Sequence, residues 1–170
     1  MKIPVFILII LLSVSFSLKA QKNSRTLDTK SDKEILIGIC DREGLTAKPF
    51  SKWFKKEYRR YHPKRKIINR IKKDSINKFD IVIVMATWCG DSQREVPRFY
   101  KILDKVNYDE SKLIVMCVDR NKEAPKARIS KLNIERVPTI IIYLRGKEIG
   151  RIIETPEKNL EEDLLKFIGR

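Results

Sequence analysis

A single histidine, His62, and three scattered cysteines, Cys40, Cys89 and Cys117, leave this 170-residue sequence almost nothing with which to hold a transition metal. No two cysteines stand at a metal-ligand spacing, so a zinc site is excluded. An odd cysteine count also cannot pair completely within one chain. In an oxidising compartment at least one thiol stays unpaired or pairs only transiently. No internal repeat and no low-complexity tract is present. The apolar run Ile3 to Leu18 is short of the ~20 residues that span a membrane, and no cysteine follows it as a lipid attachment point. It lies between Met1-Lys2 and the small-residue exit Lys19-Ala20-Gln21. This arrangement predicts a signal peptide over residues 1–20, with an uncleaved anchor helix as the alternative. The mature protein is accordingly expected to be exported, to the periplasm or cell envelope.

Acidic residues are scarce where basic ones are dense. Residues 48–73 hold twelve lysines and arginines and one acid, Glu57. Within that segment Phe50, Trp53, Phe54, Tyr58 and Tyr61 recur at helical spacing, so the aromatics form a stripe and the cations cover the other face. Pro49 suits an early helical position and Pro63 ends the run. Basic residues interleaved with aromatics are one signature of nucleic-acid binding, but export takes the protein away from nucleic acid. The expectation is a helix packed by its aromatic face, with contact to an anionic surface through residues 48–73 as the functional version and no nucleic-acid partner.

The 150 residues after Ala20 are one domain's length. Gln21 to Lys33 is polar and reads as a flexible leader, and residues 34–63 read as an N-terminal extension carrying the basic helix. Glu34 to Cys40 offers an edge strand. From Lys64 the pattern alternates. A helix is expected over Lys64 to Ile76 and a doubly buried strand over Phe79 to Ala86. A helix over Glu95 to Val106 and a second buried strand over Leu113 to Val118 follow. Then come a short helix over Ala124 to Leu132, strands Thr139 to Leu144 and Glu148 to Ile153 joined at Gly146, and a closing helix from Glu157 to Ile168. This order implies an α/β protein with a mixed central sheet and helices on both faces, a three-layer sandwich.

Thr87-Trp88-Cys89-Gly90-Asp91-Ser92 stands where the first buried strand turns into a helix. A cysteine at a helix N-terminus faces unpaired N–H groups and the positive end of the helix dipole, which favour the nucleophilic thiolate. Trp88 shields one side and Gly90 permits close backbone approach. Asp91 supports the first helical turn and opposes thiolate formation, with Arg94 and Arg98 as offsetting cations. Ser92 either donates to the Cys89 sulfur or is a plain helix-turn polar residue. Cys117, in mid-strand, reads as a buried structural residue. Cys40 is open to pairing with Cys117 or to approaching Cys89 as a distant resolving thiol.

The segment from Ala86 to Ser92, with Pro97 five residues on, resembles the active-site loop and kinked helix of the thioredoxin family. Val137-Pro138-Thr139 resembles that family's cis-proline loop, and Ile140 to Gly150 its hairpin. The likeness covers about Lys64 to Arg170, and exported thioredoxin-like proteins of Bacteroidota are the similar group. It implies a thioredoxin-like fold in which Cys89 attacks or holds a sulfur. It also implies that Pro138 is cis and that the Val137 backbone pairs with an extended substrate peptide. Catalysis would fall to Cys89 and Ser92. Substrate would be held by Trp88, Gly90, Asp91, Val137, Pro138 and Thr139. Partners would be thiol- or disulfide-containing proteins or small thiols, and neither cofactor nor metal is expected.

The departures from that pattern are specific. Ser92 replaces the second, resolving cysteine. Ile83 stands where dithiol reductases carry a buried carboxylate, and Val115 or Met116 where its lysine partner falls. Two readings follow. One is a monothiol catalyst of isomerase or mixed-disulfide type, which needs one cysteine only. The other is a redox-inactive module that binds extended peptides at the cis-proline loop.

Overall fold

The computed structural model describes residues 22–125, 127 and 129–169; the signal peptide expected over 1–20 lies outside them. Six strands, β1 (Ser24–Leu27), β2 (Glu34–Cys40), β3 (Phe79–Met85), β4 (Leu113–Cys117), β5 (Thr139–Leu144) and β6 (Lys147–Ile153), form one sheet in the order β1-β2-β4-β3-β5-β6. The helices are α1 (Arg42–Thr46), α2 (Ser51–Arg60), α3 (Arg65–Lys73), α4 (Gly90–Val106) and α5 (Leu160–Ile168). β3 and β4 run parallel, joined through α4, and the other neighbours are antiparallel.

β3 sits in the middle because its sequence suits nowhere else. Successive side chains of a strand point to opposite faces. Ile81, Ile83 and Met85 enter the larger core cluster, while Val82 and Val84 join a smaller one. With partners on both edges and apolar cover on both faces, such a strand is a near-continuous apolar run. The larger core takes the buried sides of α2, α3, α4 and α5. The other face is covered more thinly, by the segment after β4. There the short helix expected over 124–132 is reduced to a 3₁₀ turn, Ile129–Leu132. The result is an α/β fold of thioredoxin type, a mixed sheet flanked by helices.

Two expectations about the N-terminal region give way. The stretch read as a flexible leader contains β1, paired to β2 from Ser24 opposite Ile37 to Leu27 opposite Glu34. Three of its four side chains are exposed. The pairing is therefore made by backbone hydrogen bonds, with no apolar alternation to announce it. β2 is no edge strand either, since it lies between β1 and β4. The sheet runs through the boundary expected at Lys64. A third difference lies in α4, which begins at Gly90, well ahead of the apolar periodicity that starts at Val96.

The aromatic stripe docks as expected. Phe50 and Phe54 are buried, and the Phe54 ring lies 5.6 Å from that of Tyr100 on α4. Trp53, Tyr58 and Tyr61 are half-buried around them. Glu57 turns inward to pair with Arg98 at 2.7 Å, and Arg42 closes the same seam by a two-pronged bond to Asp104 at 2.6 and 2.9 Å. Phe54→Ala is expected to lower unfolding free energy by ~3–5 kcal/mol, as truncation of a buried phenylalanine does. Lys55→Gln and Lys56→Gln are each expected to change it by no more than ~0.5 kcal/mol, the range for exposed positions. Urea unfolding of the three variants gives the ranking, and a larger effect at the lysines would show that the charged face is the buried one.

Candidate active site

The loop between β3 and α4 is fixed from three directions. Thr87 is buried, and its hydroxyl oxygen accepts the Leu36 N–H of β2 at 3.1 Å. Its carbonyl accepts the Gln93 side-chain amide at 2.7 Å. The Trp88 indole N–H donates to the Val118 carbonyl at 3.0 Å, just past the end of β4. Cys89 occupies the N-cap position of α4, with its backbone N–H bonded to the Ala86 carbonyl at 3.0 Å. The sulfur is partly exposed at the helix end where the dipole favours an anion.

The thiol donates to the Val137 carbonyl at 3.2 Å. That contact joins the two segments singled out in the sequence, the cysteine loop and Val137-Pro138-Thr139. The Val137–Pro138 peptide is cis. Thr139 is buried, and its hydroxyl donates back to the Arg136 carbonyl at 2.6 Å. Cys89, Trp88, Val137 and Pro138 thus meet at one end of the sheet, with Gly90 and Asp91 opening α4 beside them. Asp91 is paired with Arg94 at 2.7 Å, and Arg94 also reaches the buried carboxylate of Glu95 at 2.6 Å. Arg98, the other cation expected to offset Asp91, is committed to Glu57.

Ser92 is fully buried, and its hydroxyl oxygen accepts the Ala86 N–H at 3.2 Å. The two side chains bond to different partners, the Ser92 hydroxyl to the Ala86 N–H and the Cys89 thiol to the Val137 carbonyl. Ser92 locks the helix start to the strand end. Gly90 behaves differently: a Cβ built there meets nothing within 4 Å. The protein itself therefore leaves open space in front of this residue.

The other two cysteines are elsewhere. Cys40 and Cys117 are buried in the larger core, whereas Cys89 packs on the smaller. They lie on adjacent strands, Cys40 opposite Val115 and Gly38 opposite Cys117. Burial, reinforced by the neighbouring Cys40, pushes the Cys117 thiol well up. Cys40 thus lies on the strand beside that of Cys117 and away from Cys89, and neither of the pairings open to it is made, since all three thiols are free. Among the described residues, no three His, Cys, Asp or Glu side chains gather as a metal site requires.

A family model of thioredoxin matches residues 64–169. The chain belongs to the thioredoxin family. Thioredoxin H2 of Arabidopsis thaliana is 32% identical to it over 99 residues, which cover 58% of this chain and 68% of that protein. Protein disulfide-isomerase of Datisca glomerata is 29% identical over 83 residues, covering 48% of this chain and 16% of that protein. Among solved structures, reduced thioredoxin of Schistosoma mansoni is 30% identical with a TM-score of 0.38, over 59% of this chain and 89% of that one. Thioredoxin-family proteins act on thiol- and disulfide-containing substrates, and these relatives indicate a thiol–disulfide redox function. The family match starts at Lys64 and so leaves out β1 and β2, although both belong to the sheet. The positions that the resemblance assigns to a buried carboxylate and its lysine partner, Ile83 and either Val115 or Met116, are apolar here, and Ile83 faces the buried Val115 in register.

Two residues that sequence reasoning missed complete the site. Arg120 lies over the Trp88 ring, its guanidinium carbon 4.1 Å from the ring centroid. It donates to both carboxylate oxygens of Asp28, at 2.8 and 2.7 Å, and the Asp28 side chain is fully buried behind it. Hydrogen bonding to Asp28 raises the guanidinium pKa, burial opposes this, and charge on Cys89 adds a smaller upward push. Asp28 is held in turn by the Arg120 guanidinium first and the Ser31 hydroxyl second, well below the usual carboxylate range. Its contribution to stability is thus present above about pH 4, the ordinary carboxylate value, and is lost as pH falls toward the depressed native value. Asp28→Asn removes that titration. Its urea midpoint is expected to fall less steeply than the wild-type midpoint as pH drops below about 4. Parallel curves would show that the carboxylate contributes nothing through its charge.

Proposed function

We propose that this thioredoxin-family chain is a monothiol protein of thiol–disulfide exchange, of isomerase or mixed-disulfide type, that works through Cys89. The observation that carries the reading is the contrast between positions 89 and 92. One sulfur is partly exposed at a helix N-terminus, and the residue in the resolving position is a buried hydroxyl bonded to Ala86. In the forward step the Cys89 thiolate attacks one sulfur of a substrate disulfide. A Cys89–substrate S–S bond forms, the substrate S–S bond breaks, and the departing sulfur leaves as a thiolate that takes its proton from solvent. A second thiol, from the substrate or from a small thiol, then attacks the mixed disulfide and expels Cys89 as thiolate. One disulfide and one thiol are exchanged, with no net redox change in the protein, and one cysteine suffices.

Two features support this route. A thiolate has no proton to donate, so ionisation of Cys89 releases the Val137 carbonyl held at 3.2 Å. That carbonyl then becomes available to the backbone N–H of an extended substrate beside the cis-proline. Proton transfer is left to solvent, because Ile83 and Val115 are apolar. The open space before Gly90 leaves substrate room to approach Cys89, flanked by Trp88, Asp91, Val137, Pro138 and Thr139.

Ser92→Cys gives a trapped mixed disulfide an intramolecular exit. Wild-type protein is expected to accumulate covalent adducts with protein disulfides, resolvable on non-reducing gels, and Ser92→Cys to clear them with release of reduced substrate. Recovery is expected to be partial and to improve on adding Ile83→Asp, which supplies a proton acceptor. Cys89→Ser abolishes adducts, whereas Cys40→Ser and Cys117→Ser leave them. Wild-type protein that reacts with neither disulfides nor thiol probes in its native state would make the chain a peptide-binding module at the cis-proline loop.

The same proposal places the protein outside the cytoplasm, in the periplasm or cell envelope, on the strength of the apolar run Ile3 to Leu18 and its exit at Ala20. The mass of the protein isolated from its native source is expected to correspond to a start near Gln21. A mass that retains residues 1–20 would mean an anchored protein instead.

A further inference from the structure

The outward sides of α2 and α3 carry a surface that thiol chemistry does not use. All ten lysines and arginines of the two helices are exposed. On α2, Lys52, Lys55, Lys56 and Arg59 fall on one helical face, opposite Phe54 and Tyr58. Among the described residues none of the ten cations makes an ion pair. The pairs in this region are Lys64 with Glu162, between the helices, and Glu57 with Arg98, which turns the sole acid inward. Elsewhere on the molecule arginines find carboxylates: Arg25 with Glu34, Arg136 with Glu154, Arg151 with Glu148. Ten charges on the outer sides of two helices repel one another, and among the described residues no direct ion pair offsets that repulsion.

We propose that the exposed face of α2 and α3 docks on an anionic phospholipid bilayer. The charge is complementary, and the way it is displayed selects this occupant. The aromatic residues of the segment face the core or its margin, so the cations lack the stacking platform that binds unpaired bases. They sit at the tips of long flexible chains on the outer side of two helices. Such an array reads charge density over an area, as a plane of lipid headgroups provides. Juxtamembrane clusters of lysine and arginine bind anionic leaflets in this way. Both helices pack on the larger core, on the opposite face of β3 from the cluster that holds Cys89. A molecule lying on its basic face therefore keeps the cysteine loop free for substrate. The proposal does not depend on what Cys89 does, and its test involves no thiol reagent.

The protein lacking residues 1–20 keeps every described strand and helix, and the test uses it because the apolar run of residues 1–20 would itself enter lipid. Co-sedimentation with vesicles of phosphatidylcholine and phosphatidylglycerol at about 3:1 is expected to show binding at low salt. Binding should be absent with phosphatidylcholine alone and should weaken steeply as salt shortens the Debye length. Each basic residue at an anionic surface contributes about fivefold. The quadruple variant K52Q/K55Q/K56Q/R59Q should accordingly lose at least ~50-fold in partitioning. The matched variant K30Q/K33Q/K131Q/K147Q removes four exposed cations elsewhere and should change it less than ~3-fold. Equal losses in the two variants would reduce the effect to net charge and overturn the proposal. So would the absence of binding to anionic vesicles, or tighter binding to heparin or duplex DNA than to vesicles at equal anion concentration.

Discussion

A strand that is paired on both edges and covered on both faces can tolerate almost no polarity, and β3 meets that condition from Ile81 to Met85. Its two faces divide the interior into a large core under the helices and a small one under the segment that follows β4. Its end determines where the chemistry stands. Within four residues of Met85 the chain has turned, Thr87 and Ala86 have taken up their hydrogen bonds to Leu36 and Ser92, and Cys89 caps α4. The cysteine reaches the helix end, partly exposed, because the strand before it is held rigidly on all sides.

The same constraint explains how the site departs from dithiol relatives. A carboxylate at position 83 would be a charge in the larger core, costly unless paired or hydrogen-bonded. Here Ile83 faces Val115, and the core closes over both. In the proposed monothiol exchange no buried proton acceptor is needed, and an apolar pair fills the core without an uncompensated charge. The serine that remains serves as a clamp between strand and helix. The proposed exchange reaction would take and give its protons through solvent at the partly exposed Cys89.

Much of this was legible in the sequence, and the parts that were not share a physical cause. β3 and β5 are continuous apolar runs, and β5 came out with the bounds expected of it. The cysteine loop and the Val137-Pro138-Thr139 turn were visible as motifs and do meet in space. β1 was invisible because four mostly exposed residues are held by backbone bonds that no side-chain pattern encodes. Asp28 and Arg120 were invisible because their pairing spans 92 residues and obeys no period. The direction of the Ser92 hydroxyl was undecidable, since a serine in a first helical turn has several donors and acceptors within reach.

The buried carboxylate of Asp28 carries one more consequence, for where this protein ends and its neighbours in sequence space begin. Family likeness starts at Lys64, and a boundary drawn there looks natural on sequence grounds. A chain cut at that point would leave the Arg120 guanidinium above Trp88 without its carboxylate and Thr87 without the Leu36 N–H. It would also expose the edge of β4 that β2 covers, as an open template for pairing with another chain. The unit that holds the cysteine loop in place is therefore larger than the recognisable family domain. The N-terminal strands of this protein are part of the foundations of its candidate site.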